Sequence, residues 1–430
     1  MTSKILIEPV NNIKENVANC FNTFGGVNSF IKGNVFLKIN CTMPNESGMT
    51  NSDLVVATIE HIVENCSNYG NIFVCDNSAV GSFTRMTFLV NNLAKRIKKA
   101  GAKPLYLDEK RPVNYNFNGK ILNKPIPIPE IIHENLIKNK ENNTYINLPK
   151  LKSHIQCRAT ICIKNHHGFL YDNEKIFQHH KVHQKVIDII NVLRPDFNIV
   201  DATNVCDYGP IAFNPEWHQK MGLLISGIDP VAVDTIGCKL IGIDGVKHIS
   251  LASEEGLGCN DLDKIEVLPS KDLINDYKIQ LHHDDIPTIL DSNIRLFKGA
   301  EKCCIEGCYG LGTYFRLLVG DKKTKHVFGI MGKGHQDHIK EFDDFSGPFI
   351  IAGPCAVNEL KDYFENREDK NKIKVFYLNE HMDIKGLTNA VLKACNVSVF
   401  SLADKFPFGL LRVLVSYLNA KLHGVKCNFL

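Results

Sequence analysis

The chain has 430 residues, 50 Lys and Arg against 47 Asp and Glu, 44% hydrophobic and 23% charged residues. That length holds two or three domains of roughly 100–200 residues, and the composition excludes wholesale disorder. A net charge of +3, with no basic stripe interleaved with aromatics, argues against a nucleic-acid partner.

The N-terminus has no basic segment followed by a long apolar core. No apolar stretch approaches the ~18–20 residues that span a bilayer; Phe408 to Leu418 is short and contains Arg412. The expectation is a cytoplasmic protein without a membrane partner. Of the fifteen cysteines, several inside apolar runs such as those of Cys75 and Cys162, most read as reduced, buried small hydrophobes; the exception is the group Cys303, Cys304 and Cys308.

Val35 to Ile39 is a short apolar run with β-branched residues, a buried strand. Leu54, Val55, Ile59, Ile62 and Val63 have helical spacing and predict a helix over 51–66. A strand follows over 71–74, ending near Asp76, then a helix over 87–99 closed by Gly101, and a strand over 104–107. This alternation predicts a parallel, right-handed α/β sheet. Ligands of such sheets bind at the carboxyl ends of strands, here Asn40-Cys41-Thr42 and Asp76-Asn77-Ser78. Residues 114–143, rich in Pro, Asn and Lys, read as a surface excursion.

A strand over 145–148 leads into Pro149-Lys150-Leu151-Lys152-Ser153-His154. A helix over 185–193 stops before Pro195. Strands are expected over 198–201 and 223–226, a turn at Gly209-Pro210, and a helix over 229–241 with Pro230 in its first turn. From about Phe297 the alternation resumes, with segments 303–312, 327–332, 349–353 and 374–378 between helical stretches. The expected division is an α/β domain over 1–296 and a smaller, cysteine-containing α/β domain over 297–430.

Histidine is concentrated where the chain is least apolar. His154, His166, His167, His179, His180 and His183 are six of seventeen histidines, and they stand beside Lys150, Lys152 and Lys164. Neutral imidazoles are metal ligands and proton-transfer groups near pH 7, and lysines suit anionic groups. Asp201 ends a strand, where carboxylates line sites in this architecture. Asp229 is placed to cap the helix that follows it, and Asp234, one turn further, to pair with a lysine of the cluster. Lys164 precedes Asn165-His166-His167-Gly168, whose glycine permits close approach of backbone to a ligand.

These segments resemble the domain-of-unknown-function family 362. The likeness is carried, in the family's order, by Phe36-Leu37-Lys38-Ile39-Asn40, Ile146 to His154, Ile163-Lys164-Asn165-His166-His167-Gly168, Ile199-Val200-Asp201-Ala202, Gly209-Pro210 and Ser226 to Asp234. It covers roughly residues 5–258. Many members of that family carry a ferredoxin-type insert; this chain has no C-x-x-C-x-x-C run. The spacing of His154, Lys164 and His180 is also similar to that of lactate racemase-like proteins. There a lysine tethers a nickel-pincer nucleotide and histidines serve as metal ligand and acid/base. The racemases' other catalytic histidine has no counterpart, since Thr84 stands at the comparable position; this departure argues against racemisation.

In the second domain Cys303-Cys304-Ile305-Glu306-Gly307-Cys308 is the sharpest feature. Cys304 and Cys308, with Cys355 from Gly353-Pro354-Cys355 or with His335 or His338, have the chemistry of a zinc or iron–sulfur site; the alternative is a structural one, tight turns with buried thiols. The expectation is a metal- or metallocofactor-dependent enzyme acting on a small anionic metabolite. His154, Lys164 and His180 form its centre, and Asn40, Lys150, Lys152, Asn165, Asp201 and Asp234 bind substrate or cofactor. His180, Cys304, Cys308 and Cys355 are its candidate metal ligands. The rival is a non-catalytic iron–sulfur or electron-transfer protein built on the cysteines.

Overall fold

The structure, a computed structural model, describes residues 2–42, 45–209, 217–283, 293–319, 325–398 and 410–425. Pro210 of the expected turn and residues 408–409 lie outside these. The chain forms two compact units. The first takes the described residues of Met1–Lys175, His183–His283 and Phe408–Phe429, and the second those of Ile176–Val182 and Asp284–Pro407. The division is therefore discontinuous, where the sequence pointed to one boundary at 296.

The first unit is built on strands β1 (Ser3–Pro9), β2 (Gly33–Ile39), β3 (Tyr69–Asp76), β4 (Lys103–Tyr106), β5 (Pro112–Tyr115), β6 (Ile126–Pro129), β7 (Thr144–Leu148), β8 (Lys150–His154), β9 (Arg158–Thr160), β10 (Phe197–Cys206), β11 (His218–Gly227) and β12 (Ile265–Leu268). The main sheet has the order β12-β1-β11-β10-β7-β2-β3-β4, with β8 pairing β10 and β9. The pairs from β10 to β4 are parallel, whereas β11 runs antiparallel to both β10 and β1. The sheet is thus mixed, not wholly parallel. From β2 the chain steps outward to β3 and β4 on one side and to β7 and β10 on the other. The crevice at the carboxyl ends of β2 and β7 is the switch point at which such sheets bind ligands.

Local chemistry explains most elements. The helix Ser52–Asn65 starts where the Asn51 side chain accepts the Asp53 N–H, and Pro230–Leu240 starts where Asp229 accepts the N–H groups of Val231 and Ala232, both N-cap geometries. The helix expected over 87–99 is broken. Only Leu93–Lys99 is regular, because Asn91 and Asn92 adopt φ of 51° and 54°, a conformation that asparagine tolerates better than most side chains. The excursion at 114–143 is no loose loop. β5 and β6 pair as a hairpin, and Phe117, Leu122, Ile128, Ile132 and Leu136 enter the core that holds Phe36 and Tyr145.

The second unit carries a four-stranded parallel sheet, β13 (Ile294–Lys298), β14 (Val327–Met331), β15 (Phe349–Ala352) and β16 (Val375–Leu378), in that order. Its first strand precedes the cysteine segment. Residues 305–309 are a single irregular turn leading into the helix Gly310–Val319, so the expected element at 303–312 is helical.

Candidate functional site

The alternation of β2 places the first charged group. Val35, Leu37 and Ile39 enter one core and Phe36 the core on the opposite face. The period of two carries Lys38 to that second face. Lys38 is fully buried. Its Nζ lies 2.6 Å from Asp76 Oδ1 at the end of β3 and donates to the Ile39 carbonyl at 2.9 Å. Asp76 Oδ2 accepts the Cys41 N–H at 2.6 Å. A Cβ on Gly168 would stand 2.3 Å from Asp76 Oδ1 and 2.6 Å from Lys38 Nζ. That glycine makes room for an internal ion pair.

Pro149 separates β7 from β8, and both strands pair in parallel with β10. Within β8 the same period puts Lys150, Lys152 and His154 on one side. Lys150 Nζ pairs with Asp201 Oδ2 at 2.8 Å, both groups buried. Asp201 also accepts the Asn51 N–H at 2.7 Å, which ties the ion pair to a helix start. Lys152 donates to Asn40 Oδ1 and Thr42 Oγ1, each at 2.7 Å, and to the Gly48 carbonyl at 3.1 Å. Asn40 Nδ2 donates to Asn165 Oδ1 at 3.0 Å, and Asn165 Nδ2 to Asn147 Oδ1 at 2.8 Å. Asn40, Lys152 and Asn165, distant in sequence, therefore meet in one buried network at the switch point.

Lys164 sits at the end of the short helix Cys162–Asn165. Asp234 holds that helix, its oxygens accepting the N–H groups of Cys162 at 2.7 Å and Ile163 at 3.0 Å. Asp234 thus partners backbone rather than the lysine expected, and burial pushes its carboxyl up to about 7. Lys164 is 8% exposed, and its amine has no hydrogen bond or ion pair among the described residues. Burial lowers its pKa, and Lys38 lowers it further against the opposing effect of Cys157. Burial also pulls Lys152 down to about 8 and Lys185 to about 7, with the charge of Lys164 acting in the same direction on both. His248 is held well below the usual imidazole range by burial, then by His183 and Lys164. Its Nδ1 lies 3.1 Å from Nδ1 of His183. The charge of Lys164 is thus felt by Lys152, Lys185 and His248.

The histidines divide by role. His154 Nδ1 accepts the N–H groups of Gln156 at 3.0 Å and Cys157 at 3.2 Å, so the proton of its neutral ring is on Nε2. His166 is structural. Its Nδ1 donates to the carbonyls of Cys162 and Ile163, and its Nε2 faces the Tyr145 hydroxyl at 3.1 Å. Burial lowers it to about 4. His180 belongs to the second unit, where its ring stacks on His381 with centroids 4.5 Å apart. Of the expected trio, only His154 and Lys164 share a unit.

Sequence reasoning missed Lys185 and His248, and it did not single out Lys38 as part of the site. Lys38 had a signal, a charge inside an otherwise apolar strand. Lys185 and His248 had none, since each lies on a helix of ordinary amphipathic pattern.

In the second unit Cys308 is buried, with Cys304 and Cys355 as electrostatic neighbours, and burial pushes its thiol up to about 11. Cys303 is likewise raised to about 12. His335 is buried against the His338 and Phe342 rings, with centroids 5.8 and 6.2 Å away. Among the described residues no three His, Cys, Asp or Glu side chains are placed to hold a metal ion. The expected set of Cys304, Cys308, Cys355 and His180 is therefore not assembled as a ligand cage.

Fold and site together define an α/β protein whose sheet carries a buried amide, lysine and histidine centre at its switch point. Residues 35–239, just under half of the chain, match the family described as Domain of unknown function (DUF362). The match spans β2 to the Pro230–Leu240 helix and contains Lys38, Lys152, Lys164 and Asp234. The chain is also similar to a thylakoid-associated protein of Synechocystis sp., 27% identical over 250 residues, 55% of this chain and 72% of that protein. No solved structure matches. Among the described residues no helix is long and apolar enough to cross a membrane.

Proposed function

We propose that the first unit is the site of an enzyme acting on a small anionic metabolite, with Lys164 as its contact group. One observation carries this reading: Lys164 is nine-tenths buried and without a partner among the described residues. An unpaired ammonium taken out of water costs several kcal/mol, and an anion binding beside it supplies the missing charge. Asn40, Asn165 and Lys152 form the buried network at the strand ends, the Lys150–Asp201 ion pair ties β8 to β10, and His154 is a proton-transfer group of fixed tautomer. Lys164 Nζ, when neutral, is also a nucleophile.

A metallocofactor on the same site is the finer reading. The similarity in spacing of His154, Lys164 and His180 to the lactate racemase-like proteins supports it. The described donors do not gather around a metal, so no step is assigned to one. Metal analysis of protein purified without chelator tests it: stoichiometric metal, lost in His154→Ala, is the supporting result.

The anion reading is tested by thermal unfolding with and without sulfate, phosphate and small carboxylates. A saturable rise in Tm is expected, since a ligand that binds only the folded state stabilises it. Lys164→Met keeps the length of the side chain without its charge. It should raise stability in anion-free buffer by about 1–3 kcal/mol and abolish the response to anions. A methionine variant that still responds, or that is less stable without anion, removes Lys164 from the site.

A further inference from the structure

A second group of side chains, outside the residues discussed above, lies at the carboxyl end of β10. Asp207 follows that strand and is 3% exposed. Its Oδ1 accepts three hydrogen bonds: from the Ser153 hydroxyl at 3.2 Å, the Tyr208 N–H at 2.9 Å and the His282 N–H at 2.6 Å. Its Oδ2 faces His282 Nδ1 at 2.7 Å. An ionised carboxylate only accepts, so Nδ1 is the donor and the neutral ring carries its lone pair on Nε2. The His282 side chain is 57% exposed. Its ring lies on Tyr208, centroids 5.3 Å apart and planes within 4°, and Trp217 packs on Tyr208 in turn. Tyr208 has φ of +51°, uncommon for a bulky side chain and most often met at functional sites.

An exposed imidazole is ordinary. One whose Nδ1 is fixed by a buried carboxylate, and whose plane is fixed by an aromatic platform on strained backbone, is oriented. Anchoring the chain at residue 282 requires none of this, because the backbone N–H already does so. The loop that holds the dyad also packs against β8, the strand that carries Lys152 and His154. A Cβ on Gly209 would stand 2.1 Å from the Ser153 carbonyl and 3.7 Å from Lys152 Cδ.

We propose that His282 is a proton-transfer group serving the anionic-ligand site, oriented by Asp207. The proposal rests on the anion reading for the class of ligand. In the forward step Nε2 takes a proton from an acidic O–H, N–H or C–H of the bound anion, leaving that bond's electron pair on the ligand. The imidazolium so formed is stabilised by Asp207, and the reverse step returns the proton.

The full-length chain is treated with bromoacetate and with its neutral analogue bromoacetamide, and alkylation of His282 is followed by peptide mass spectrometry. In both reactions Nε2 forms a bond to the methylene carbon and bromide leaves. Bromoacetate should react about tenfold faster or more, because the lysines of the proposed site concentrate the anion. Its rate should saturate, and sulfate should slow it. Equal rates for the two reagents overturn the proposal, and this comparison needs no variant.

Asp207→Asn supplies a second measurement. Three donors converge on Oδ1, so the amide oxygen remains there and the amide nitrogen faces Nδ1. The ring must then carry its proton on Nε2. Alkylation should fall about tenfold or more, with the Tm rise caused by sulfate unchanged. Unchanged alkylation refutes the orienting role of Asp207. A wild-type protein that sulfate fails to stabilise refutes the anion reading instead, so the two failures are distinguishable.

Discussion

His166 shows how one buried ring ties stability to pH. Its folded-state pKa of about 4 lies below the usual imidazole value of about 6.5, so the unfolded chain binds more protons between the two. The stability from this residue is complete above about pH 6.5 and is lost as pH falls toward 4. At pH 4.5 the loss amounts to about 2–3 kcal/mol. His166→Gln keeps a donor and an acceptor but does not titrate. Urea unfolding at pH 7 and pH 4.5 should show the wild type losing about that much more stability than the variant. Equal losses would place the low-pH sensitivity elsewhere. The sequence grouped His166 with five neighbours as one polar cluster, because spacing cannot tell a ring hydrogen-bonded to carbonyls from one facing a ligand. Lys164 was legible on residue type and setting. That it lacks a partner among the described residues required the positions of Asp234 and Asp201, each committed elsewhere.

At the scale of elements, the sequence disclosed strands whose residues all face cores, such as β2 and β7, and helices with side-chain caps at Asn51 and Asp229. It failed where backbone conformation or tertiary contact overrides local pattern. Asn91 and Asn92 break a helix that periodicity extended, and apolar residues scattered among prolines over 114–143 pack into a core only once the hairpin of β5 and β6 forms. Gly168 is the element-level counterpart of the buried ion pair. Gly168→Ala would press a methyl group into Lys38 and Asp76, and overpacking of this kind costs about 1–3 kcal/mol. The chemical-denaturation midpoint should fall accordingly. The anion response should weaken as well, because Asn165 hydrogen-bonds to Lys38 and Asn40. A variant with wild-type stability would show that the 166–169 turn shifts freely.

At the scale of the whole molecule, the first unit is completed by the far end of the chain. Tyr171 packs with Ala420 and Val425, and Tyr417 meets Phe83 edge-on with centroids 6.5 Å apart. Removing residues 408–430 should therefore lower the thermal midpoint of the first unit by several degrees and expose Tyr171 to solvent, which its fluorescence would report. An unchanged midpoint would make the Leu410–Leu422 helix an accessory. This closure constrains synthesis. A ribosome emits residues 1–283 long before Ala420 leaves the exit tunnel, and the nascent unit must wait with the Tyr171 face open while the second unit is made. Contacts between such distant residues close slowly, and partly formed units with exposed apolar surface are prone to aggregate. The yield of folded protein should therefore depend on translation speed and on chaperones that shield the nascent chain.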